Sequence, residues 1–148
     1  MTSAMRPWVF LMALIFSLPA QAGDFRSVGE GGAVLYDAPS REATPLYVVT
    51  KDYPLELIAQ TEHWAKVRDH TGALSWIEKP RLGERHTVVV TAKSAEAHTR
   101  PEDGAPIAFV AAEEVALELV EQVPGGWLRV RHADGVQGYL QASLVWGD

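Results

Sequence analysis

Leu55-Glu56-Leu57-Ile58-Ala59-Gln60 returns as Leu117-Glu118-Leu119-Val120-Glu121-Gln122, and Trp64-Ala65-Lys66-Val67-Arg68 returns as Trp127-Leu128-Arg129-Val130-Arg131. The offset is 62 residues at the first pair and 63 at the second, because one glycine is inserted before the second tryptophan. The order continues through Gly72 and Gly135, Trp76 and Tyr139, Ile77 and Leu140. A repeat of this length is a duplicated domain, and it constrains the architecture more than any single motif.

Outward from these stretches the chain reads as short strands between turn residues. The pattern predicts strands over 33–36, 46–49, 55–60, 64–68 and 73–77, and again over 87–90, 95–98, 107–110, 116–122, 127–131 and 136–140. Asp37-Ala38-Pro39-Ser40, Asp52-Tyr53-Pro54, Pro124-Gly125-Gly126 and Asp134-Gly135 stand among the separators. Many short strands at this spacing argue for small all-β barrels. The composition of 111–122 also suits a helix, but Pro54 before Leu55 disfavours a helix at the equivalent place in the first copy, so both are read as strands.

The beginning of the chain is of another kind. Arg6 precedes the apolar run Trp8 to Leu18, and Ala20-Gln21-Ala22 supplies the small residues that a signal peptidase recognises. The run is about half the ~20 residues a membrane-spanning helix needs. The expected division is a cleaved signal peptide over 1–22, a first domain over 23–84 and a second over 85–148, with no transmembrane anchor after cleavage.

Composition narrows the function. The chain has no cysteine, which excludes disulfides, thiol nucleophiles and cysteine metal sites. Without Arg6, 12 Lys and Arg face 19 Asp and Glu, a net charge of −7 with no basic run, so nucleic acid is not an expected partner. His63, His70, His86, His98 and His132 lack metal-ligand spacing and read as surface residues; no metal or other cofactor is expected. Glu102-Asp103 and Glu113-Glu114 read as solvated carboxylates, and Gly29-Glu30-Gly31-Gly32, without a following Lys-Ser/Thr, as a flexible lead-in. No catalytic residue is assigned.

Strand parity suggests where a ligand could sit. If Ala65 and Val67 face the core, then Trp64, Lys66 and Arg68 face the other way, and Trp127, Arg129 and Arg131 do the same in the second copy. On the following strand Val136, Gly138 and Leu140 share the apolar face, which leaves Tyr139 outside, as Ile77 leaves Trp76. Each domain then presents an aromatic pair, Trp64 with Trp76 and Trp127 with Tyr139, beside cations. Such a surface suits stacking on sugar or proline rings and holding a carboxylate. The same tryptophans could instead pack under a loop as core, or one face could be covered by the neighbouring domain.

The stretches from Ala33-Val34-Leu35-Tyr36-Asp37-Ala38-Pro39-Ser40 through Trp76-Ile77, and from Ala95-Glu96-Ala97-His98-Thr99-Arg100-Pro101 through Gly138-Tyr139-Leu140, together resemble the bacterial SH3-like domain, twice over. Leu144-Val145-Trp146-Gly147 is similar to the end of tandem members. The family commonly has arginine where this chain has Tyr36, and its Gly-Trp pair stands here as Ser75-Trp76 and Gly138-Tyr139. These side chains lie where such domains often meet partners. The resemblance implies two tandem, five-stranded, partly open barrels and a non-catalytic binding module; the signal-peptide pattern and the absence of cysteine make the expected setting exported and periplasmic. Its expected partner is peptidoglycan or a peptide of an envelope protein. A structural subunit of an envelope complex is the alternative, and a wall hydrolase a third.

Overall fold

The computed structural model describes residues 23–148; the expected signal peptide and its cleavage point lie outside the described residues. The first half forms β1 (Phe25–Val28), β2 (Ala33–Tyr36), β3 (Pro45–Val49), β4 (Pro54–Gln60), β5 (Trp64–Arg68), β6 (Leu74–Glu78) and, after a 3-10 turn over Lys79–Arg81, β7 (Leu82–Gly83). The second half forms β8 (Thr87–Val90), β9 (Ser94–His98), β10 (Ile107–Ala112), β11 (Ala116–Val123), β12 (Trp127–Arg131), β13 (Gln137–Gln141), a 3-10 turn over Ala142–Leu144 and β14 (Val145–Trp146).

Each half is one open antiparallel sheet. The orders are β3-β2-β6-β5-β4-β1-β7 and β10-β9-β13-β12-β11-β8-β14, the same path traced twice. Strand alternation fills each core: Ala65, Val67 and Ile77 join Val28, Leu35 and Leu55 in one, and Leu128, Val130 and Leu140 join Val88, Ala97 and Leu117 in the other. Each such Leu, Ile or Val contributes about 1.5–3 kcal/mol by leaving water. The register slips between Leu57 and Ala59 and, at the equivalent place, between Leu119 and Glu121. These bulges bend β4 and β11, so their first halves pair with β1 and β8 while both strands run on beside β5 and β12.

The structure extends the sequence reading in three places. β1, β7 and β14 are additional strands, so each sheet contains seven hydrogen-bonded segments where the pattern gave five in the first copy and six in the second. Gly29-Glu30-Gly31-Gly32 is not a lead-in but the turn from β1 to β2. Gly29 N–H donates to the Arg81 carbonyl at 2.8 Å, and a Cβ on Gly32 (φ +70°) would lie 2.6 Å from the Val49 carbonyl oxygen, which only glycine accommodates. Val136 precedes β13 and is exposed, so the apolar face of that strand begins at Gly138.

The halves are joined by a polar and aromatic seam. Thr87 Oγ1 donates to the Asp52 carbonyl at 2.6 Å, and Arg85 lies 3.5 Å from the Asp52 carboxylate. His70 Nε2 meets Glu114 Oε1 at 2.9 Å, while Tyr53 Oη is 2.6 Å from His70 Nδ1. Because the carboxylate can only accept, His70 donates from Nε2 and accepts a hydrogen bond from the Tyr53 hydroxyl at Nδ1. Asp52 and Glu114 occupy equivalent turns and both have φ +69°. Phe25 closes the seam edge-on to Trp146, with ring centroids 5.0 Å apart. His70 is thus mostly covered, unlike the surface residue expected of it.

Candidate paired clefts

The site in the first half starts from strand register. Trp64 opposes Glu78, Lys66 opposes Trp76, and Trp76 opposes Tyr36 across β5, β6 and β2. Directly opposed residues share a sheet face, so one surface holds Tyr36, Trp64, Lys66 and Trp76. The Tyr36 and Trp64 rings meet edge to face with centroids 5.6 Å apart, and Lys66 Nζ stands 5.9 Å from the Trp76 ring centre, within cation–π range. Arg68 lies at the far end of the row, its Nε 2.9 Å from Glu56 Oε2. The structure therefore gathers Tyr36, Trp64, Lys66 and Trp76 and commits Arg68 to an ion pair.

A cleft of about 450 Å³ opens beside Trp64, bounded by Pro39, Arg41, Glu42, His63 and Glu78. Arg41 binds Glu78 through two nitrogens at 3.1 and 2.9 Å. That fork holds the Glu78 carboxyl below its ordinary range and raises the Arg41 guanidinium. The Ser40 hydroxyl lowers Glu42 in the same way, as a hydrogen-bond donor to its carboxylate. The loop that supplies these groups is pinned by Asp37, whose Oδ1 accepts the Thr44 N–H at 3.0 Å.

The second half rebuilds the cleft with other side chains. Tyr139 opposes both Arg129 and His98, so His98 takes the place of Tyr36. Its ring meets Trp127 edge to face at 6.0 Å, as Tyr36 meets Trp64. A cleft of about 350 Å³ is lined by Glu96, His98, Asp103, Trp127 and Gln141. Gln141 Nε2 donates to Asp103 Oδ1 at 2.6 Å, where the first half has the Arg41–Glu78 fork. Arg129 lies 3.8 Å from Glu121 and Arg131 2.9 Å from Glu118. The tryptophans are thus partly buried at the base of each cleft, between the core and open surface.

Sequence reasoning missed Arg41, Glu78, His98 and Asp103. Arg41 and Asp103 come from the long loops after β2 and β9, whose course no periodicity reveals. His98 had a signal in its alignment with Tyr36. Among the described residues, no three or more His, Asp or Glu stand grouped to hold a metal ion. No helix there is long and apolar enough to cross a membrane.

The family model for the bacterial SH3 domain matches residues 29–84 and again 92–147. The chain belongs to the bacterial SH3 domain family. It contains two SH3 domains in tandem, and the two clefts stand at equivalent places in them. No curated protein matches the sequence. Among solved structures, NlpC1 from Trichomonas vaginalis is similar at 18% identity, covering 89% of this chain and 48% of that one, with a TM-score of 0.39. NlpC2 from the same organism gives 17%, 86%, 49% and 0.38. An NlpC/P60 family protein from Bacillus cereus gives 14%, 83%, 56% and 0.39. This chain spans about half the length of these three.

Proposed function

We propose that this tandem SH3 protein is an exported, non-catalytic binding module of the cell envelope, and that each SH3 domain holds peptidoglycan or an envelope peptide in its tryptophan cleft. The observation that carries the reading is the duplication of the cleft itself: Trp64 and Trp127, each with a second ring edge-on to it, line open clefts at equivalent positions. A half-exposed indole with polar neighbours provides a flat apolar surface for a sugar or peptide and hydrogen bonds at its rim. The expected setting is the periplasm.

A second reading, a scaffolding subunit, is favoured by the terminal strands of the two sheets. β3 and β10 each have one neighbour in their sheet and expose Tyr47, Val48, Ile107 and Val110. Such edges pair readily with a strand from another protein.

Co-sedimentation of the purified chain from Gly23 to Asp148 with isolated cell-wall sacculi over a salt series separates the readings. Saturable sedimentation that is reduced at least about tenfold in Trp64→Ala or Trp127→Ala, each checked as folded by circular dichroism, is the expected result. Absence of sedimentation at every salt concentration transfers the function to a protein partner. Unchanged sedimentation in both folded variants removes the site from the tryptophan clefts.

A further inference from the structure

The two clefts differ in chemistry, and the difference lies in which groups can donate. In the first, Arg41 stands between the carboxylates of Glu42 and Glu78 and binds the latter, so the cleft offers both signs of charge and both roles in hydrogen bonding. In the second, Asp103 replaces Arg41, Gln141 replaces Glu78, and Glu96 stands where the first domain has Val34. Gln141 uses its amide N–H₂ on Asp103 and leaves its carbonyl as an acceptor.

His98 supplies the second, independent observation. Its side chain is 10% exposed, and its Nδ1 lies 2.9 Å from the Ala105 carbonyl oxygen. A carbonyl only accepts, so Nδ1 carries the proton and the neutral ring has a bare lone pair at Nε2. That nitrogen lines the cleft without a hydrogen bond from the protein, with Glu96 Oε2 4.0 Å away, beyond hydrogen-bond reach. Two acceptors at this separation can share one nitrogen donor placed about 2.8 Å from each. The neighbouring cations are turned to other carboxylates, Arg100 to Glu102 at 3.6 Å and Arg129 to Glu121 at 3.8 Å.

We propose that the second-domain cleft, formed by Glu96, His98, Asp103 and Trp127, binds a primary ammonium group carried on a peptide. An alkylammonium has three donors and no acceptor, which matches a cleft of two carboxylates, an imidazole lone pair and an amide oxygen. Trp127 adds a ring for the cation and its methylene stem. The proposal rests on the reading of the clefts as ligand sites and gives this one a preference for a cation that Arg41 opposes in the first cleft.

The test is a titration of the ¹⁵N-labelled chain from Gly23 to Asp148 with Nα-acetyl-lysine methylamide, followed by NMR. The probe's Nε-acetylated derivative serves as the uncharged control. The amine is expected to shift the Trp127 indole and Gln141 side-chain amide signals saturably, leaving the Trp64 indole unmoved, and the acetylated probe to shift neither. Glu96→Gln and Asp103→Asn, both at exposed positions, are each expected to weaken the response about tenfold, the loss of one charge-assisted contact.

Equal shifts with the two probes, a response that survives the Glu96→Gln/Asp103→Asn double variant, or no saturable shift at Trp127 each overturn the ammonium assignment. Sacculus sedimentation distinguishes the two levels. Wall binding without an amine response removes this inference and leaves the proposed function standing, whereas an amine response without wall binding keeps this inference and assigns the clefts to an envelope peptide instead of peptidoglycan.

Discussion

Individual side chains decide how alike the two SH3 domains are. Gly138 lies under Ala97 so closely that an added Cβ would stand 2.8 Å from the Ala97 methyl and 3.3 Å from the Ala108 Cβ. Gly138→Ala is therefore expected to push β9 away from β13, lowering stability by about 1–3 kcal/mol in thermal or urea unfolding and disturbing the His98–Trp127 contact. Glu78 yields a pH prediction. Its folded pKa is depressed by the Arg41 hydrogen bonds, so the stabilisation is present above the ordinary carboxylate range and is lost as pH falls through the depressed value. NMR titration of the Glu78 carboxyl carbon should give a lower midpoint in the natural chain than in Arg41→Ala. Trp64, Trp76, Trp127 and the cation row were legible in the sequence because parity along a strand is a local property. The Arg41–Glu78 fork and the His98 lone pair were not, since both arise where a long loop folds back onto a strand distant in the chain.

Alternating elements were the most legible. β2, β5 and β12 have the limits their patterns predict, β6 and β13 begin one residue later, and 111–122 divides into β10, a turn and β11, in line with Pro54 in the first copy. The short terminal strands escaped notice for a physical reason: β1 buries Ser27 next to Val28, which hides its period, while β7 and β14 have only two residues each and owe their extended form to the neighbours they pair with. Between elements, the Tyr53–His70–Glu114 chain is the seam's titratable part. Burial, then the charges of Glu114 and Asp69, push the Tyr53 phenol up to about 12 from 10.0. A raised folded pKa means that the stabilisation is complete below the ordinary tyrosine value and disappears as pH climbs through the raised one. Tyrosinate absorbance should show Tyr53 ionising late, and stability should fall between about pH 10 and pH 12, a fall that is diminished in Tyr53→Phe.

At the scale of the whole molecule, duplication was evident in the sequence, but the manner of joining was not. The seam is made by Asp52, His70, Arg85, Thr87, Glu114 and the Phe25–Trp146 ring pair, residues spread over both copies and unmarked by any motif. Domains of about 60 residues are marginal alone, so the seam should matter to each. The first domain expressed as residues 23–84 is expected to unfold at a lower temperature than in the whole chain, measured by calorimetry; equal melting would show that the seam adds nothing. Unequal clefts on a single chain also bear on valence. Occupation of one cleft fixes the other at a high local concentration of whatever the same partner presents nearby. Under the proposed function, a polymer that repeats both an ammonium and a group suited to the Arg41–Glu78 cleft would be retained far longer than a soluble fragment bearing either one.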